Sequence, residues 1–134
     1  MNPAPFILAS ASPRRAELLQ QVVPEFEIVP SDAPEIHDEH LTAWEMAQVN
    51  AYRKARAVAK RRPDAIVLGA DTLVYLDRET KLFGKPAGRA DAERMLSELA
   101  GRTHAVITGV CLLQLRRHRQ QVFAEWTDVR FHPL

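Results

Sequence analysis

Apolar and polar positions divide the chain into short segments of two periods. Phe6-Ile7-Leu8-Ala9 is a brief apolar run that predicts a strand, and it leads into a polar turn through Ser10, Ala11 and Ser12. From Pro13 to Val22 the spacing becomes helical, with Leu18, Leu19 and Val22 giving an apolar face. Ser12 suits the N-cap, and Pro13 suits the first helical position, where its missing N–H has no partner to lose. Phe26 to Val29 alternates as a second strand, closed by Pro30. Ser31 to His40 is a polar loop rich in acids: Asp32, Glu35, Asp38 and Glu39. Thr42 with Glu45 three residues on makes a capping box and predicts a long helix to about Lys60.

Ala65 to Ala70 is apolar on both faces and predicts a buried central strand ending in Asp71-Thr72. A second apolar stretch, Leu73 to Leu76, follows at once. Asp77 to Thr80 reads as a hairpin turn and Lys81-Leu82-Phe83 as its return strand. Ala92, Met95, Leu96 and Leu99 mark a helix that Gly101 can close. His104 to Leu115 predicts another central strand, Arg116 to Gln120 a turn, and Val122 to Phe131 an antiparallel return. The resulting order, βα-β-α-ββ(β)-α-ββ, is that of an α/β domain with a mixed, twisted sheet flanked by helices. The chain stops directly after a strand, so a missing C-terminal part is expected.

Composition narrows the class. With 134 residues, 46% of them hydrophobic and 26% charged, one globular domain spanning 1–134 can bury a real core. A formal charge of +1 gives no overall pull towards nucleic acid or an anionic membrane. One cysteine, Cys111, excludes an intramolecular disulfide framework and suits a reducing compartment. Residues 1–5 lack the charged and apolar regions of a signal peptide, and no apolar run approaches a membrane span, so the expected location is cytoplasmic.

Chemistry enters where the pattern is broken. Arg14 and Arg15 lie in the first helical turn, an end that already carries free N–H groups and partial positive charge. Two cations there suit a bound anion, which points to a phosphate-binding turn; the alternative is an ordinary solvated pair. Lys54 interrupts the face shared by Ala47, Ala51 and Val58, and either snorkels to water or meets a partner. Asp71 follows a buried strand, where open α/β sheets place their chemistry. Pro86 extends the backbone at Lys85 and so directs its ammonium arm. The pair His37 and His40 lies in a loop without further ligands and reads as solvated. A nucleophilic Ser10 or Ser12 would need His104 as base, and nothing in the sequence joins them. What coheres is a set of cations (Arg14, Arg15, Lys54, Lys85) with two carboxylates (Glu35, Asp71). Metal-assisted phosphoanhydride hydrolysis needs that combination.

These stretches, Leu8 to Arg15, Glu35, Lys54-Ala55, Gly69-Ala70-Asp71-Thr72, Gly84-Lys85-Pro86, and Gly101 to His104 with Thr108-Gly109, closely resemble the Maf family of nucleoside triphosphate pyrophosphatases. They occur in the family's order and cover nearly the whole chain. The resemblance implies a two-lobed Maf/ITPase-like fold, usually dimeric, with the site in a cleft. It also implies hydrolysis between the α- and β-phosphates, supported by Mg²⁺ or Mn²⁺. Asp71 matches the catalytic base or metal-site carboxylate, and Glu35 a metal ligand. Arg14, Arg15, Lys54 and Lys85 match phosphate-binding positions, with Ser10 and Ser12 close by. Thr72 resembles the branch that cleaves dTTP and UTP, and related or modified pyrimidine nucleotides, in a house-cleaning role; a glutamine there would resemble the 7-methyl-GTP branch. A catalytically inactive nucleotide-binding or cell-division regulatory protein is the alternative. Two departures stand out. Pro34 occupies a position where the family commonly has an acid, and the family's later Lys-Ala-Gly-x-Tyr…Gln and Gly-Leu-Pro segments do not occur. One wall of the cleft is therefore expected to be absent.

Overall fold

Two long strands and one helix carry the architecture. The computed structural model describes residues 4–76, 81–83, 88–99 and 103–130. In chain order the elements are β1 (Phe6–Leu8), α1 (Pro13–Gln20), β2 (Glu27–Ile28), α2 (Ala43–Ala59), β3 (Ile66–Leu76), β4 (Lys81–Phe83), α3 (Arg89–Leu99), β5 (Thr103–Gln114) and β6 (Arg119–Arg130). The described strands form one mixed sheet in the order β2-β1-β3-β5-β6, with β4 also paired to β3. Pairing is parallel for β1 with β2 and β3, and antiparallel for β3 with β4 and β5 and for β5 with β6. No helix among the described residues is long and apolar enough to cross a membrane.

β1 and β4 share one edge of β3. β1 pairs with it up to Leu68, and β4 takes over at Val74. Residues 69–73 lie between the two, with their other edge fully engaged by β5. Here the structure departs from the sequence pattern. The strand expected to end at Asp71-Thr72 runs on to Leu76, because the antiparallel ladder with β5 pairs Asp71 with Gly109 and Thr72 with Thr108 without a break. Asp71 therefore projects from the middle of a strand. What ends near it is the neighbour β1, not its own strand.

α2 covers one face of β3 and β5. Its start is fixed as the sequence predicts, with Thr42 at the N-cap and reciprocal capping-box bonds to Glu45 of 3.1 and 3.0 Å. The helix lies close to the sheet because small residues face each other. A Cβ at Gly69 would collide with the Ala51 carbonyl oxygen and come within 2.8 Å of the Ala55 nitrogen, and one at Gly109 would strike the Ala47 backbone. The core is split into two groups on this face. Ile7, Ala51, Ala55, Val58, Val67, Cys111 and Leu113 pack at one end, and Met46, Ala47, Leu73 and Ile107 at the other. Full burial of each large aliphatic among them stabilises the fold by about 1.5–3 kcal/mol. Along β3, Val67 belongs to the first group and Leu73 to the second, so Gly69 and Asp71 occupy the interval.

Other boundaries shift by a few residues. α1 stops at Gln20 rather than Val22, since the N–H groups of Val22 and Val23 both turn back to the Leu19 carbonyl and Pro24 bars continuation. Val22 is consequently 80% exposed, and no residue of α1 is buried. β6 begins at Arg119, where Gln114 pairs across the hairpin, and His118 takes a left-handed φ of 52° to close the turn. The hairpin turn expected at 77–80, and Gly84, Lys85, Pro86 and Gly101, lie outside the described residues.

Candidate functional site

The interval between the two core groups opens into a cleft of about 880 Å³. Ser10, Ser12, Arg14, Arg15, Glu35, Lys54, Asp71, Thr72 and Thr108 are among the residues that line it. Eight of these nine were given a site role from the sequence, and they arrive from four different segments; Thr108 was named only within a resembling stretch. Lys85 lies outside the described residues.

The first wall follows from the end of β1. Ala9 still donates its N–H to the Leu68 carbonyl at 2.9 Å, after which the chain leaves the sheet. The Ser10 hydroxyl accepts the Ser12 N–H at 3.1 Å, folding the turn on itself. Ser12 then caps α1 by accepting the Arg15 N–H at 3.3 Å. The first turn of α1 contains no acid to offset its positive end. Arg15 is held, with Nη2 donating to Thr72 Oγ1 at 2.9 Å and Nη1 to Ser10 Oγ at 3.5 Å. Arg14 is exposed at the cleft, and its side chain makes no hydrogen bond among the described residues.

The second wall is ionic. Lys54, one face of α2 projecting past the alanines, reaches between two carboxylates: its Nζ donates to Glu35 Oε1 at 3.1 Å and to Asp71 Oδ1 at 3.0 Å. Of the two readings open from sequence, the lysine has a partner, indeed two. The three side chains differ sharply in access to water, at 18% for Lys54, 55% for Glu35 and 4% for Asp71. Burial raises the Asp71 pKa above the ordinary carboxylate value; the Lys54 ammonium pulls it down without prevailing, and the Glu35 charge adds to the rise. The Asn50 amide beside it also favours ionisation, although the hydrogen bonds of that amide go to the backbone of Ile36, at 2.7 and 3.1 Å. Asp71 Oδ2 is buried and has no hydrogen-bond partner among the described residues. A carboxylate oxygen in that state calls for a proton or a cation.

Two hard oxygen donors, one with a spare buried oxygen, are suited to a divalent ion that completes its shell with water and substrate phosphate. Among the described residues no group of three or more His, Cys, Asp or Glu is arranged to hold a metal by itself. His40 lies beside Asp38 at 3.2 Å with its ring 97% exposed, away from the cleft. Ser10 and Ser12 spend their hydroxyls as acceptors within the turn, and neither contacts a histidine.

Two residues were not assigned from the sequence. Asn50 is buried on the sheet side of α2; its signal was a polar amide three residues from Ala47 and four from Lys54 on the apolar face. Thr108 meets Thr72 across the β3–β5 ladder, with hydroxyls 3.3 Å apart. Its signal was the Thr108-Gly109 pair in the middle of a largely apolar strand.

Comparison with known proteins adds three findings. The family model described as Maf-like protein matches residues 5–134. A dTTP/UTP pyrophosphatase of Symbiobacterium thermophilum is 52% identical over 132 residues, covering 96% of this chain and 64% of that protein. One from Ruminiclostridium cellulolyticum is 44% identical over 126 residues, covering 93% of this chain and again 64% of the relative. The chain thus spans somewhat under two thirds of the length of these relatives. In three dimensions it is similar to the Ham1 protein of Staphylococcus aureus, with a TM-score of 0.65 at 17% identity over 93% of this chain and 70% of the other. A HAM1 protein from Coxiella burnetii gives a TM-score of 0.58, also at 17% identity, over 96% of this chain and 73% of the other. At that identity the likeness speaks to the fold alone.

Proposed function

The chain belongs to the Maf family, and on that premise we propose that it hydrolyses dTTP, UTP and related or modified pyrimidine nucleotides to the nucleoside monophosphate and pyrophosphate. The observation that carries this reading is the Glu35–Lys54–Asp71 bridge beside a serine turn that presents two arginines. Three cations against two carboxylates leave an excess of positive charge in the cleft, which favours a polyanionic ligand.

Arg14, free of other partners among the described residues, and Arg15 would take phosphate oxygens, together with the N–H groups at the start of α1. Glu35 and Asp71 would hold Mg²⁺ or Mn²⁺. When bound, such an ion neutralises triphosphate charge and makes water a better nucleophile. Asp71 would take the proton of the attacking water; its unpartnered Oδ2 and the raised pKa of the group support that role as a base. Water adds to the α-phosphorus, the bond from that phosphorus to the bridging oxygen breaks, and pyrophosphate leaves with both electrons of that bond. Lys54 and the arginines stabilise the negative charge that grows on the leaving oxygens.

The near-zero net charge supports free nucleotides as the ligand, rather than nucleic acid or a membrane. The resemblance supports a homodimer, a single Maf-like domain over 1–134, and a cytoplasmic setting in which Cys111 stays reduced. The test is pyrophosphate release from dTTP, UTP, CTP and 7-methyl-GTP with Mg²⁺ or Mn²⁺, beside Asp71→Asn. Release from dTTP and UTP that is lost in the variant is the expected result. Nucleotide binding without release would instead favour a regulatory protein.

A further inference from the structure

Asn50 is 2% exposed, and an amide buried that deeply must have partners. Both its partners belong to one residue: Oδ1 accepts the Ile36 N–H at 2.7 Å, and Nδ2 donates to the Ile36 carbonyl at 3.1 Å. The side chain thus satisfies a complete backbone unit of the acidic loop, as a neighbouring strand would. Ile36 directly follows Glu35, and Lys54 lies one helical turn beyond Asn50. Two consecutive loop residues are therefore tied to two positions on one helix face. Among the described residues no other hydrogen bond joins residues 31–37 to the rest of the protein. The Glu35–Lys54 contact cannot hold the loop by itself, since the Glu35 side chain is 55% exposed and pairs of that kind contribute little.

We propose that Asn50 is a positioning residue: by clamping the backbone at Ile36 it presents the Glu35 carboxylate to Lys54 and Asp71. The hydrogen bonds of the Asn50 amide go to the loop backbone, and its influence on the neighbouring Asp71 is separated from the clamp by the Glu35→Gln background. The proposal rests on the reading of the cleft as a metal-dependent pyrophosphatase site, in which Glu35 has work to do. It also explains why an amide is used. A carboxylate could accept from Ile36 but not donate to its carbonyl, and a lysine or arginine could not accept.

The experiment compares Asn50→Ala, Asn50→Asp and Glu35→Gln, singly and with each Asn50 change combined with Glu35→Gln. Amide hydrogen exchange, Mn²⁺ affinity measured with the metal alone, and kcat and KM for dTTP are the readouts. Asn50→Ala is expected to speed exchange at Ile36 by tenfold or more while α2 and β3 keep their protection. It should weaken Mn²⁺ binding and lower kcat by about tenfold, and it should add less than twofold in the Glu35→Gln background. Asn50→Asp keeps the side-chain shape and the acceptor but turns an oxygen towards the Ile36 carbonyl, so exchange at Ile36 should rise here too; it also carries the test if the alanine variant does not fold. Unchanged exchange at Ile36, or equal losses in the Glu35→Gln background and in the wild type, would overturn the proposal. If the wild type hydrolyses no nucleotide, the pyrophosphatase reading fails on its own. The clamp is then still decided by exchange and by the same cycle read in Mn²⁺ affinity.

Discussion

Arg15 and Thr72, 57 residues apart, are joined by a 2.9 Å hydrogen bond from Nη2 to Oγ1. An arginine can only donate, so the Thr72 oxygen accepts, and its own proton is left to point towards Thr108 Oγ1 at 3.3 Å. The residue that the resemblance ties to the dTTP- and UTP-cleaving branch is therefore also a support for a residue proposed to hold phosphate.

Replacing Thr72 by Val keeps the shape and removes the acceptor. A hydrogen bond to a charged group at such an exposed position contributes about 1.5 kcal/mol, so kcat/KM for dTTP should fall by roughly tenfold. Thr72→Ser, which restores the oxygen, should recover most of it. Steady-state kinetics of the two variants side by side check this.

Asp71→Asn is expected to abolish turnover, and its effect on stability depends on pH in a defined direction. The folded protein binds the Asp71 proton more tightly than the unfolded chain does, because its pKa is raised. The contribution of this group to stability is therefore fully present below the ordinary aspartate range, near pH ~3.9. It is lost as pH rises through the higher folded value. Thermal melts in a chelator should show wild-type stability declining relative to Asp71→Asn between acid and neutral pH, then levelling.

Gly69→Ala places a methyl group against the Ala51 carbonyl and the Ala55 nitrogen, which are backbone and cannot rotate away. Overpacking of this kind costs about 1–3 kcal/mol. A urea titration should give a lower midpoint. Activity should fall by more than the folded fraction explains, since α2 carries Lys54 and moves with it.

Cys111 is fully buried, and desolvation pushes its thiol up to about 11. It should resist an aromatic disulfide reagent at pH 8 in the native protein and react promptly once unfolded.

What could be read from the chain divides by the range of the interaction. The Thr42–Glu45 capping box and the Ser12 cap were legible because every partner lies within three residues. Lys54 was legible as an anomaly and Glu35 and Asp71 as candidate carboxylates, but not that the lysine bridges the two, 19 and 17 residues away. β3 read as broken at Asp71-Thr72 because a polar pair resembles a strand end; what holds it straight is β5, far along the chain. Asn50 was passed over for the same reason, since a buried amide takes its meaning from Ile36.

Because β3 continues through Asp71 and Thr72, two adjacent codons serve opposite sides of one sheet. Asp71 looks to α2 and its charges, while Thr72 looks to Arg15 and Thr108. Substitution at Thr72 leaves the Lys54 contact of Asp71 intact and reaches the cleft only through Arg15 and Thr108. The same alternation forbids a different kind of change. A single-residue insertion or deletion between Leu68 and Asp71, just beyond the segment β1 holds in register, would turn both side chains over relative to β1. Evolution of this site is thereby confined to replacement in place, and its history should be one of exchanged letters within a stretch of constant length.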